Sequence, residues 1–213
     1  MRKYLVFLFM GIFVASLNHA GASSGLEDKN LKRAIQMLKK NGISTEEVTI
    51  DKSTMEWQST CDDNEGEDNP DIKKEGFLFE VIVKKPIKIV GLNLNKGTSI
   101  RFCHDKVMWL QDNFNAKGER VNFEKDGFSC SLLIGLTHGG RLCTCVLGKD
   151  TLVDGFLVPA NSRMTLKLGK PYAFIFPMSD PRVKDFLGSF FAIEKSKPVP
   201  LKSENIRCDF FED

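Results

Sequence analysis

The sequence predicts a mainly β protein, in which repeated antiparallel hairpin units form a rolled sheet or sandwich between a short N-terminal and a short C-terminal helix. Three observations carry that expectation. From Phe77 onward the chain runs in short stretches of β-branched and aromatic residues, such as "FLFEVIV" (77–83), divided by glycine, asparagine and lysine. Such stretches between turn formers read as strands. Two segments superpose without gaps, "GLNLNKGTSIRFCHDKVMWLQ" from Gly91 and "GFLVPANSRMTLKLGKPYAFI" from Gly155. The aromatic content is 17 Phe against two Trp and two Tyr, which suits core packing better than an aromatic binding platform with polar handles.

Taken in order, residues 1–22 read as a secretory signal peptide. Arg2 and Lys3 give the positive start, Tyr4 to Leu17 form an uncharged, mostly apolar run, and Ala20 and Ala22 make a small-x-small site before Ser23. The run is short for a bilayer span and no second one follows. An exported soluble chain, periplasmic or secreted, is therefore expected.

That cleavage changes the charge. The chain has 30 basic and 28 acidic residues; losing Arg2 and Lys3 leaves 28 of each. A neutral chain carries no electrostatic footprint for nucleic acid and no polybasic patch for a membrane surface. The expected partner is another envelope or secreted protein, and no cofactor is indicated.

Residues 23–76 form the first expected unit: a helix, a strand and an acidic linker. In "LEDKNLKRAIQMLKKNG", Leu31, Ala34, Ile35 and Leu38 fall at helical spacing and Gly42 sits at the stop. A strand is expected in "EVTIDKSTMEW". "CDDNEGEDNPD", Cys61 to Asp71, has six acids and no base, the pattern of a solvated linker. Asp62, Asn64 and Gly66 resemble the start of a calcium loop, but the twelfth position is Lys73 where a glutamate is needed.

Residues 77–178 form the expected β-repeat domain. "FLFEVIV" and the alternating "IKIVGLNL" open it. In the superposed segments Leu92 meets Phe156, Leu94 meets Val158, Ile100 and Phe102 meet Met164 and Leu166, and Met108 and Leu110 meet Tyr172 and Phe174. "GFSCSLLIGLTHGGRLCTCVL" fits the second half of the same template, with Gly139 and Gly140 in the turn and Cys143 and Cys145 beyond it. A unit of this size cannot bury its apolar face alone, so neighbours must stack or share a sheet. Residues 179–213 are expected to add a short helix, "SDPRVKDFLGSFF", capped by Asp180 with Pro181 in its first turn, and a tail packed on the same domain.

The stretches "GFLVPANSRMTL" and "HGGRLCTCVLGKDTLVDG" resemble units of exported bacterial β-repeat proteins, which combine a glycine, an apolar pair, a "PAGS"-type turn, a strand and a glycine–lysine turn. The resemblance covers residues 91–176. It implies a fold pattern and no activity that could be carried to particular residues.

Six cysteines, Cys61, Cys103, Cys130, Cys143, Cys145 and Cys208, lie beyond the signal. An even number in an exported chain favours disulfides. Cys143 and Cys145 occupy apolar slots of the template and, two apart on a strand, are expected to share its core face. A bridge between those two is geometrically poor, so each is expected to pair with a neighbouring strand or stay reduced. Cys61 and Cys208 flank the repeats, and a bridge to either would staple an outer segment to the sheet.

A competing expectation gathers His104, His138, Cys143 and Cys145 into a metal site. It would need the turn histidines and strand cysteines to converge. No H-E-x-x-H helix or P-loop is present. The expected function is thus non-catalytic, through a protein-binding or structural surface. The alternatives are a metal- or thiol-dependent periplasmic protein, or a hydrolase without a recognisable motif.

Overall fold

The computed structural model describes residues 25–58, 76–177, 179–181, 183 and 190–201. The N-terminal helix, α1, spans residues 25–40. Ala34, Met37 and Leu38 are buried; at i, i+3 and i+4 they line one face. The helix ends at Gly42, whose φ of 70° a residue without a β-carbon adopts at little cost. The Gly42 amide donates to Lys39 O and the Ile43 amide to Leu38 O, each at 3.0 Å. This reciprocal pair is a Schellman cap.

The strands are β1 (Val48–Gln58), β2 (Gly76–Val83), β3 (Ile87–Ile89), β4 (Leu92–Leu94), β5 (Ser99–Cys103), β6 (Lys106–Gln111), β7 (Phe123–Lys125) and β8 (Phe128–Leu136). They continue as β9 (Leu142–Leu147), β10 (Thr151–Val153), β11 (Phe156–Val158), β12 (Arg163–Lys167), β13 (Lys170–Ile175), β14 (Phe191–Glu194) and β15 (Lys197–Pro200). An 11-stranded sheet runs in the order β1-β2-β5-β6-β8-β9-β12-β13-β14-β15, with β7 on β8. Its pairings are antiparallel. The path has two ends, so the sheet is open and does not close into a barrel. The fold is mainly β, as expected, and the described residues hold one of the two expected helices, the N-terminal one.

The meander is interrupted. Hairpins β3–β4 and β10–β11 leave the main sheet and form two-stranded sheets of their own. "IKIVGLNL", read from alternation as one strand, is split because Val90 and Gly91 both take positive φ, 47° and 80°. Two such residues in succession turn the chain back on itself with the twist a two-residue hairpin needs.

One apolar core joins these parts. It takes Ala34, Leu38 and Ile43 from the helix region, alternate residues of the main sheet, and Ile89, Leu92, Val153 and Val158 from the two hairpins. Phenylalanine fills it, as the composition suggested. Phe77, Phe79 and Phe102 stack in a row at 5.7 and 4.8 Å. Phe174, Phe176 and Phe191 form a second row at 6.4 and 5.5 Å.

Both edges of the sheet are unsuited to pairing. In β1 the register shifts between Asp51 and Glu56; Thr54 Oγ1 donates to Asp51 O at 2.8 Å and accepts from Glu80 N at 2.9 Å. A bulge of this kind interrupts an edge ladder. In β15 the Leu201 amide donates inward to Phe190 O at 2.8 Å, so the amide positions of residues 198 and 200 face outward by alternation. Both are proline, which has no N–H to offer.

The signal peptide expected at 1–22, the acidic linker expected at 61–71, Cys61 and Cys208 lie outside the described residues, and so does most of the C-terminal helix expected after Asp180.

Candidate functional site

Three turns lie at one end of the sheet. They join β5 to β6 (His104, Asp105), β8 to β9 (Thr137–Arg141) and β12 to β13 (Leu168, Gly169). The C-terminus of α1 comes to the same end: Asn41 Nδ2 donates to Asp105 O at 2.7 Å, and Lys40 Nζ stands 3.5 Å from the Asp105 carboxylate. Between these elements is an open cleft of ≈ 240 Å³, lined by Lys40, Asp105, Lys106, His138 and Gly139 among others. Its two lysines, one carboxylate and one imidazole suit a small polar ligand better than an apolar one.

The structure separates the four residues of the expected metal site. His138 lines the cleft. His104, at φ 53°, sits in the neighbouring turn. Cys145 lies in the core, bonded to Cys130 on β8, with Cα atoms 5.7 Å apart. Cys143 is disulfide-bonded as well, and a sulfur held in a disulfide is not the thiolate that zinc or copper takes. Among the described residues no three His, Cys, Asp or Glu side chains converge.

The expectation that Cys143 and Cys145 share a face is corrected. Gly135 pairs with Thr144 and Leu136 with Leu142, so Cys143 is an extra residue bulged out of β9. Leu142 and Cys145 face the main core, while Cys143 belongs to a smaller buried cluster, which also takes in Leu78, Cys103, Met108 and Trp109, on the opposite side of the sheet. A one-residue bulge reverses the side-chain alternation beyond it. The bridge from Cys145 to the neighbouring strand is as the sequence suggested. Cys103 is also disulfide-bonded.

A second surface was not singled out from the sequence. In hairpin β10–β11, Leu152 pairs with Leu157 across the strands, and the two are 69% and 48% exposed. Their strand neighbours Val153 and Val158 face the core. The signal was present: in "TLVDGFLV" Leu152 and Leu157 stand at equal distance from Asp154-Gly155 and each precedes a valine, so inward valines require outward leucines. Hairpin β3–β4 has Lys88 opposite Asn93 at its outward pair.

No helix among the described residues is long and apolar enough to cross a membrane. Comparison with protein-family models, with curated proteins and with solved structures returned no match.

Proposed function

We propose that this chain is an exported, non-catalytic β-repeat protein that acts by binding another envelope or secreted protein through the outward face of hairpin β10–β11. The observation that carries the reading is the exposed Leu152–Leu157 pair. A paired apolar surface left in water is the kind of feature that marks a contact site, and the hairpin holds it in a fixed geometry. Strand addition at an edge, the other route to a protein partner, is disfavoured by the prolines of β15 and the bulge of β1.

The repeat belongs to the same reading. Supporting it, β3, β4, β5 and β6 begin at 87, 92, 99 and 106, and β10, β11, β12 and β13 begin at 151, 156, 163 and 170, a constant spacing of 64. Backbone angles recur with it: Val90 and Asp154 at 47° and 45°, Gly91 and Gly155 at 80°, His104 and Leu168 at 53° and 51°. The superposed copies then differ at the outward hairpin pair, polar in one and apolar in the other, as expected if one copy has specialised in contact. Export is supported by residues 1–22 and is compatible with the Cys130–Cys145 bridge.

The test is site-specific photo-crosslinking in cells of the source. A crosslinker at position 152 should trap a discrete protein adduct that the same probe at position 88 does not. Equal adducts at both positions, or none at either, would remove hairpin β10–β11 as the contact.

A further inference from the structure

We propose that Cys103 is bonded to Cys61 and Cys143 to Cys208, so that the acidic linker and the C-terminal tail are each anchored to the outer face of the sheet. The face in question carries Leu78, Cys103, Met108 and Cys143, all buried although they point away from the main core. The proposal is independent of the partner contact at β10–β11.

Cys103 and Cys143 are both disulfide-bonded, and they do not reach each other. Cys103 ends β5 and Cys143 lies in β9, with β6 and β8 between them. Three strand spacings of about 4.8 Å separate them by about 14 Å, whereas a bridge needs Cα atoms within about 7 Å. Cys130 and Cys145 are bonded to one another. The cysteines left in the chain are Cys61 and Cys208.

Reach decides which takes which. Gln58, the last residue of β1, pairs with Gly76, and Leu78, two residues along β2, pairs with Cys103. Gln58 and Cys103 are thus two strand spacings and two residues apart, about 12 Å. Three further residues carry the chain from Gln58 to Cys61, up to about 10 Å. A bridge at ordinary Cα separation closes the remainder. Cys143 is five spacings from β1, about 24 Å, beyond that tether.

At the other end, Leu201 follows β15, four spacings or about 19 Å from β9. Seven residues from Leu201 to Cys208 extend up to about 24 Å, enough to cross β14, β13 and β12. Each bridge forms by exchange with a donor disulfide, such as that of an oxidised thiol–disulfide oxidoreductase. Two thiols lose two protons and two electrons to become one S–S bond, and the donor is reduced to two thiols.

The experiment is tryptic mapping, without reduction, of the full chain purified from an oxidising compartment. The expected linked species join peptide 53–73 to 102–106, and join 208–213 to the pair 126–141 and 142–149; both separate on reduction. In C208S protein, one new thiol should label in peptide 142–149 after unfolding. A link of 53–73 to 142–149 or to 208–213 overturns the proposal. So does a Cys61 or Cys208 thiol that labels in the unreduced wild type, or a bridge found only in a covalent dimer.

Discussion

The indole of Trp109 lies across the backbone of Gly135, its Cζ3 only 2.7 Å from where a β-carbon on residue 135 would stand. Thr144 Cγ2 approaches from the other side, also at 2.7 Å. The three residues sit side by side on β6, β8 and β9, so the glycine is the gap through which the indole crosses the middle strand. A methyl group there displaces an aromatic ring packed on the sheet. Gly135→Ala is expected to destabilise by about 1–3 kcal/mol, as overpacking does, with a lower midpoint in urea and near-ultraviolet circular dichroism altered at the tryptophan band. An unchanged midpoint would show that the indole moves aside freely.

Asn113 is a second single point of support. Its side chain is buried, and its Oδ1 accepts from Asn95 N and Asn95 Nδ2 at 3.0 Å and from Thr98 Oγ1 at 3.2 Å. It closes the loop between β4 and β5. Asn113→Ala leaves these donors without their acceptor, at a cost of about 1–3 kcal/mol. Asn113→Asp keeps the acceptor and should lose less; thermal melts of the two variants side by side give the comparison.

The Cys130–Cys145 bridge spans a sequence separation of 15 residues. A loop of that size contributes about 3 kcal/mol in the chain-entropy account. The C130A/C145A double variant should lose roughly that amount in equilibrium unfolding and still give the far-ultraviolet spectrum of a β protein, because the remaining core of that sheet is intact. Loss of the folded spectrum would mean the bridge is required for folding itself.

Leu152 and Leu157 predict the reverse pattern. Replacing both with serine removes apolar surface already in water, so stability should change by no more than about 0.5 kcal/mol. Crosslinking from a probe at a neighbouring exposed position of the hairpin should nevertheless fall away. Destabilisation beyond about 1 kcal/mol would show that the leucines support the fold rather than a partner.

Much of this architecture was legible in the residues. Gly42 marked the end of α1, the run 77–83 marked β2, and the phenylalanine count pointed to core packing. What escaped has a common cause. Alternation reports a face only while one residue follows another in register. At Val90-Gly91 two positive φ values turned one apparent strand into a hairpin. At Cys143 a single bulged residue sent its side chain through to the other side. The register of β9 against β8 decides that, and register is a property of pairing between distant segments. Cys143 and Cys145, grouped with His104 and His138 in the metal expectation, lie on opposite sides of the sheet and are both held in disulfides. The leucine pair of β10–β11 was written in the sequence, but its meaning depended on knowing that the valines beside it are buried.

The prolines of β15 bear on how this chain behaves in company. A strand arriving at that border would find carbonyl oxygens at residues 198 and 200 and no donor between them, so it could not knit itself on. At the opposite border the bulge of β1 breaks the row of groups a second molecule would have to match. An open sheet is therefore finite. At these two ends of the main sheet, among the described residues, a crowded copy finds no continuous template on which to extend it, so contact there rests on side chains meeting side chains.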